Sequence, residues 1–131
     1  MPEPSRAPGP GQRLGASGEA HARRHLEALG WRHVASNWRA PSGEVDLVMT
    51  DGPELVFVEV KTRRGEASGR AEDAVSAAKG RRLLATGEAF IAARPEFADA
   101  IWRVDLVAIT LDRTGGVRRV SHIVNAIVAG Y

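Results

Sequence analysis

Two short runs of this chain concentrate groups that could do chemistry: Gly43-Glu44-Val45-Asp46-Leu47 and Val58-Glu59-Val60-Lys61-Thr62-Arg63. Thr50-Asp51-Gly52-Pro53-Glu54 lies between them and is rich in turn formers. The spacing predicts a hairpin of two strands, Glu44 to Met49 and Leu55 to Lys61. With the turn centred between Gly52 and Pro53, facing positions sum to about 105. Asp46 then faces Glu59, and Glu44 faces Lys61. Side chains alternate with period two, so these four share one face of the sheet. Val45, Leu47, Val56, Val58 and Val60 take the other face, which is apolar and belongs to a core.

Carboxylates that face each other across a ladder repel, their Cβ atoms being roughly 4.5–5.5 Å apart. A cation between them removes the repulsion. Oxygen donors suit Mg²⁺ or Mn²⁺, and a chain without cysteine offers no thiolate zinc site. An ion held by Asp46 and Glu59 could bind a phosphodiester oxygen and acidify an attacking water. The Lys61 ammonium could orient that water or stabilise the charge growing on the phosphoryl group. Glu19 could reach the same cluster from a preceding helix. The residue types also admit a plainer arrangement, in which Glu44–Lys61 is a cross-strand salt bridge and Asp46 and Glu59 lie on a solvated face. Leu55 and Phe57 share that face and make it more like a lined cleft. Both readings stand at the level of residue types.

The elements that must position these groups follow from periodicity. Leu14, Gly18, Ala22, Leu26 and Leu29 fall at steps of three and four, the stripe of an amphipathic helix from about Gln12 to Leu29. Gly30 is placed to end it. Trp31 to Arg39 reads as a short strand, and Ala40 to Gly43 as a turn. After the hairpin, Arg63 to Arg70 is a polar loop. A helix from Ala71 to about Ala93 follows, weakened or broken near Gly80 and Gly87, and it ends before Pro95. Ile101 to Leu111 and Val117 to Val124 read as strands around a Thr114-Gly115-Gly116 turn. The order predicts an α/β fold, a mixed central sheet flanked by helices, in one domain over residues 12–131. Residues 1–11, rich in Pro, Gly and Ser, read as a disordered tail.

Composition bounds the function. A chain of 131 residues fits one core. No apolar run approaches the roughly 20 residues of a membrane span, and the N-terminus has no apolar signal region, so a cytoplasmic protein is expected. The formal net charge of +2 favours a polyanionic partner only weakly. Of the 18 basic residues, sixteen are arginine and two are lysine, Lys61 and Lys79. Against that background each lysine marks a position where a compact, tunable charge is wanted. Arg63, Arg64, Arg70, Lys79, Arg81 and Arg82 cluster in sequence around the acidic hairpin and could grip nucleic-acid phosphates. For each of them, a solubilising surface charge is the alternative. The four histidines lack a metal-ligand pattern, Asp105 reads as a partner of Arg103 or of loop backbone, and the tryptophans read as core.

The two runs together resemble the PD-(D/E)xK nuclease superfamily and, more closely, the YraN-like family of uncharacterised bacterial proteins. Gly18-Glu19 with Ala22, Asn37-Trp38-Arg39, Arg103-Val104-Asp105 and the segment from His122 to Ala126 match as well, so the likeness covers about residues 12–127. It implies a restriction-endonuclease-like core, with Asp46 and Glu59 as metal ligands and Lys61 assisting the attacking water. Similarity to archaeal Holliday-junction resolvases implies an acid from the first helix, Glu19. Val45 stands where the superfamily motif carries proline. The expected function is a Mg²⁺- or Mn²⁺-dependent endonuclease acting on DNA, branched or damaged DNA included. Its competitor is a catalytically silent nucleic-acid-binding or protein-interaction module. A homodimer is admitted, and no protein partner is indicated.

Overall fold

A computed structural model of the chain describes residues 10–65 and 75–127. Its elements are α1 (Pro10–Ala28), β1 (Arg32–Ala40), β2 (Gly43–Asp51), β3 (Glu54–Arg64), α2 (Ala77–Ala93), a 3-10 turn (Pro95–Phe97), β4 (Trp102–Leu111) and β5 (Val117–Ile127). The strands form one sheet in the order β1-β2-β3-β4-β5. The β1/β2, β2/β3 and β4/β5 pairs are antiparallel, and β3/β4 is parallel. The parallel pair is the one joined through a helix, as a crossover requires. This is the expected α/β fold, a mixed sheet with two helices, consistent with a restriction-endonuclease-like core.

Each helix buries one apolar stripe against one face of the sheet. On the α1 face, Ala22, Leu26 and Trp31 pack with Leu47, Met49, Val56, Val58, Val107, Ile109 and Leu111. On the α2 face, Leu83 and Phe90 pack with Val45, Val48, Leu55, Phe57 and Val104. The tryptophans are core, as expected: Trp31 belongs to the first cluster, and Trp38 and Trp102 pack against the second.

Helix α1 begins at Pro10, so Pro10 and Gly11 belong to it and not to the tail expected over residues 1–11. Residues 1–9 lie outside the described part, as does the side chain of Leu14. The helix ends in a Schellman cap: Gly30 N–H donates to the Glu27 carbonyl and Trp31 N–H to that of Leu26, with Gly30 at φ 94°. Leu29 therefore leaves the expected stripe and is 58% exposed.

The β2–β3 turn is tighter than the five-residue loop expected, because pairing runs to Asp51↔Glu54. Gly52 at φ 57° followed by Pro53 has the sign pattern of a II′ turn, whose twist suits a hairpin. Helix α2 begins at Ala77, with Ser76 as N-cap. Residues 66–74, which include Arg70 and the expected helix start at Ala71, lie outside the described residues. Gly80 and Gly87 do not break α2. A Cβ on Gly87 would come within 3.0 Å of Phe57 and 2.9 Å of Trp102, and one on Gly80 within 3.3 Å of Ile127. Both glycines let the helix approach the sheet.

Candidate active site

The β2–β3 ladder holds the expected register over five pairs, from Asp51↔Glu54 to Leu47↔Val58, and stops there. Beyond that point β2 continues against β1, through Val45↔Trp38 and Glu44↔Arg39. Strand β3 continues against β4, through Glu59↔Leu106 and Lys61↔Ala108. The sheet forks between β2 and β3, and Asp46 and Glu59 sit at the crotch.

The fork corrects two expectations. Glu44 does not pair with Lys61; its carboxylate lies 3.3 Å from Arg39 on β1. Val45 does not share a face with Leu47; it packs on the α2 face while Leu47 packs on the α1 face. The strict alternation of the hairpin is lost where its ladder ends.

A backbone N–H at a fork has no ladder partner, and burial makes that costly. Asp46 supplies one: its Oδ2 accepts from Val60 N–H at 2.8 Å. That bond draws the Asp46 side chain across the fork toward the Glu59 carboxyl, whose charge acts on it. Burial, first, and the Glu59 and Glu19 charges, next, push the Asp46 carboxyl up to about 7, against the lowering effect of the Val60 N–H. Two carboxyls this close hold a proton between them more readily than both ionise. Glu59 is buried at 8% exposure.

Glu19 arrives from the α1 face. Its neighbour Gly18 makes the approach possible, since a Cβ there would stand 1.7 Å from Thr62 Oγ1 on β3. Burial raises the Glu19 pKa, the charges of Glu44 and Glu59 raise it further, and a hydrogen bond from Asn37 opposes them. Asn37 is a site residue that chemistry-bearing residue types did not single out. It sits within β1 at φ 50°, a left-handed conformation that costs strain for a non-glycine residue. With its amide nitrogen turned to the carboxylates, it donates to Glu44 Oε1 at 3.1 Å and Glu19 Oε2 at 3.2 Å. The signal available in the sequence was an asparagine, tolerant of the left-handed region, inside a strand pattern.

The two lysines differ in placement. Lys61 lies two residues beyond Glu59 on β3 and is exposed; among the described residues its side chain forms no hydrogen bond or ion pair. Lys79, expected as a phosphate contact, instead extends from α2 to place Nζ 2.5 Å from Glu59 Oε1. Arg64, Arg81 and Arg82 are exposed, and Arg63 is half-buried. Arg63 pairs across β4 Thr110, which in turn pairs with Arg119 on β5, so one row of the sheet carries arginines on β3 and β5.

Asp105 stands apart from this site. It is fully buried and accepts from Arg103 Nε at 3.0 Å and Asn125 N–H at 2.8 Å, as expected of a structural partner. His122 Nε2 also lies 2.8 Å from it.

The donor set at the fork is all oxygen. Among the described residues no group of three or more His, Cys, Asp and Glu is disposed to hold a metal ion directly. The Asp46–Glu59 pair fits an ion such as Mg²⁺, which commonly takes one or two carboxylates and keeps water or phosphate oxygens for the rest. No described helix is long and apolar enough to cross a membrane.

Comparison with known proteins gives the relationship. The model of the Uncharacterised protein family UPF0102 matches residues 18–109, a span that contains the whole acidic fork. The chain belongs to the UPF0102 family. A UPF0102 protein of Roseiflexus castenholzii is 40% identical over 115 residues, 88% of this chain and 93% of the relative. One from Ectopseudomonas mendocina is 42% identical over 116 residues, 88% and 95% of the two chains. One from Gloeobacter violaceus is 45% identical over 103 residues, 78% and 82%. The YraN-like resemblance is thereby borne out, and the UPF0102 name carries no activity with it.

Proposed function

We propose that this UPF0102 protein is a cytoplasmic, Mg²⁺- or Mn²⁺-dependent endonuclease that hydrolyses phosphodiester bonds in DNA, branched or damaged DNA included. The observation that carries the reading is the Asp46–Glu59 contact at the fork. Two carboxyls brought together, with Glu19 and Glu44 close by, offer a divalent cation a ready set of oxygen donors, and a binding module has no use for such a set.

Asp46 and Glu59 would hold the ion, with Glu19 placed to hold water beside it. The ion, when bound, would polarise a phosphoryl oxygen and acidify the attacking water. The chain's own residues supply the rest. Val60 N–H fixes one oxygen of Asp46, so that carboxylate is preorganised. Asn37 holds Glu19 and Glu44 in a fixed relation. Lys61, projecting beyond Glu59 with its charge uncommitted among the described residues, stabilises charge on the phosphoryl group. Arg63 and Arg64 on β3 and Arg81 and Arg82 on α2 would meet neighbouring phosphates.

The test is a panel of labelled single-stranded, duplex, flap and four-way DNA substrates, incubated with Mg²⁺ or Mn²⁺. Wild type should cleave at least one of them. Lys61→Ala should fold and lose on the order of 10²–10³ in rate, the usual cost of removing a preorganised charge. Lys61→Arg should recover only part, because a planar guanidinium cannot occupy the same point. Asp46→Ala should be inactive and should lose metal binding in calorimetry. Undiminished cleavage by Lys61→Ala would place the activity elsewhere. Failure of wild type to cleave any substrate would favour the silent module.

A further inference from the structure

Lys79 is in an unfavourable place for a helical cation. Ser76 is the N-cap of α2 and its side chain accepts from Lys79 N–H at 3.1 Å, which puts Lys79 at the third helical position. That position favours an acid, because the unpaired N–H groups and the helix dipole make the N-terminus positive. The first turn of α2 holds no acidic residue to offset the lysine. A local conflict of this kind signals a demand from elsewhere in the fold. The demand is visible: Nζ lies 2.5 Å from Oε1 of Glu59, whose side chain is 10% exposed, while the lysine side chain remains 40% exposed.

We propose that Lys79 is an exchangeable counter-cation of the acidic fork: it caps Glu59 in the metal-free protein, and a divalent ion entering the fork displaces it toward a substrate phosphate. The inference rests on the metal-dependent reading of Asp46 and Glu59. Two cations cannot share one carboxylate oxygen at contact distance without strong repulsion. The lysine is the one free to leave, since its stem reaches solvent and an ammonium on four rotatable carbons can swing. Arginine in its place would hold the carboxylate through two N–H groups and leave less readily. This accounts for a lysine at a position where the chain otherwise uses arginine, with sixteen arginines to two lysines. It also accounts for the fold's tolerance of the acidic pair without metal, since one of the two carboxyls has a cation of its own.

The prediction has opposite signs in two measurements, and that separates exchange from simple damage. Lys79→Met and Lys79→Gln, checked for folding by circular dichroism, should bind Mn²⁺ more tightly than wild type in calorimetry. The gain should be on the order of tenfold, because the ion no longer breaks a charge-assisted hydrogen bond to enter. Lys79→Arg should bind Mn²⁺ more weakly than wild type. In saturating Ca²⁺ with a labelled DNA duplex, the Met and Gln variants should bind DNA several-fold more weakly, having lost the released ammonium. Unchanged or weaker Mn²⁺ binding by both neutral variants would overturn the exchange while leaving the metal site intact. Tighter Mn²⁺ binding with unaltered DNA affinity would overturn the transfer to phosphate. No Mn²⁺ binding by wild type or by any variant would remove the metal-dependent reading and this inference with it.

Discussion

At the scale of single residues, the fork is a place where one carboxyl is held out of its ordinary range. The folded state keeps a proton on Asp46 up to about 7, whereas an unfolded chain releases it near the usual carboxylate value. The native state then binds more protons than the unfolded state over that interval, so stability falls as pH rises through it. Chemical denaturation between pH 4 and about 7 should show that decline. Glu59→Gln should flatten it, by removing the largest charge that raises Asp46. Carbon-detected NMR titration of Asp46 should move downward in the same variant. A flat wild-type profile, or an unmoved Asp46 in Glu59→Gln, would mean the two carboxyls do not interact as their contact requires. Mn²⁺ at neutral pH should oppose the decline by binding the native state alone.

At the scale of elements, the site depends on how closely α1 lies on β3. Gly18→Ala would set a methyl carbon 1.7 Å from Thr62 Oγ1, so either Thr62 or the helix must move. Overpacking typically costs about 1–3 kcal/mol, and the better helix propensity of alanine offsets roughly 1 kcal/mol of it. A net loss of stability is expected in thermal or urea unfolding, and Thr62→Ala in the same chain should recover part of it. Because Glu19 is the next residue along the helix, Gly18→Ala should also weaken whatever Glu19 does at the fork. Stability equal to or above wild type would show that α1 has room to spare. Gly87 makes a parallel case on the other face, where α2 lies against Phe57 and Trp102.

At the scale of the whole molecule, the near-neutral charge of +2 hides an uneven distribution. Acids gather at the fork, while Arg63, Arg64, Arg81, Arg82 and Arg119 stand on β3, α2 and β5. If DNA crosses that surface, its affinity should fall steeply with salt as counterions are released. Joint replacement of Arg81 and Arg82 by alanine should make the slope shallower. Adding Arg119→Ala should reduce it further, since Arg119 shares a sheet row with Arg63 through Thr110. An unchanged slope would return these arginines to the solvated surface.

Much of this was legible along the chain, because it is written in short-range patterns. Alternation in Leu55 to Lys61, the Gly52-Pro53 turn and the apolar stripe of α1 depend on neighbours a few residues away, and hairpin register follows from turn position. Asp46 and Glu59 stood out because like charges on one sheet face are costly in any fold, and Glu19 because it flanks the apolar stripe of the preceding helix. What the sequence could not decide is where a ladder stops. The fork depends on β1 holding β2, and β4 holding β3, past the point where β2 and β3 part, and β4 is distant in sequence. From that parting follow the separation of Val45 from Leu47, the transfer of Glu44 from Lys61 to Arg39 and Asn37, and the reach of Asp46 to Val60 N–H. Lys79 belongs to the same class. Twenty residues separate it from Glu59 along the chain, and only the packing of α2 on the sheet turns a surface lysine into the counter-cation of a buried acid.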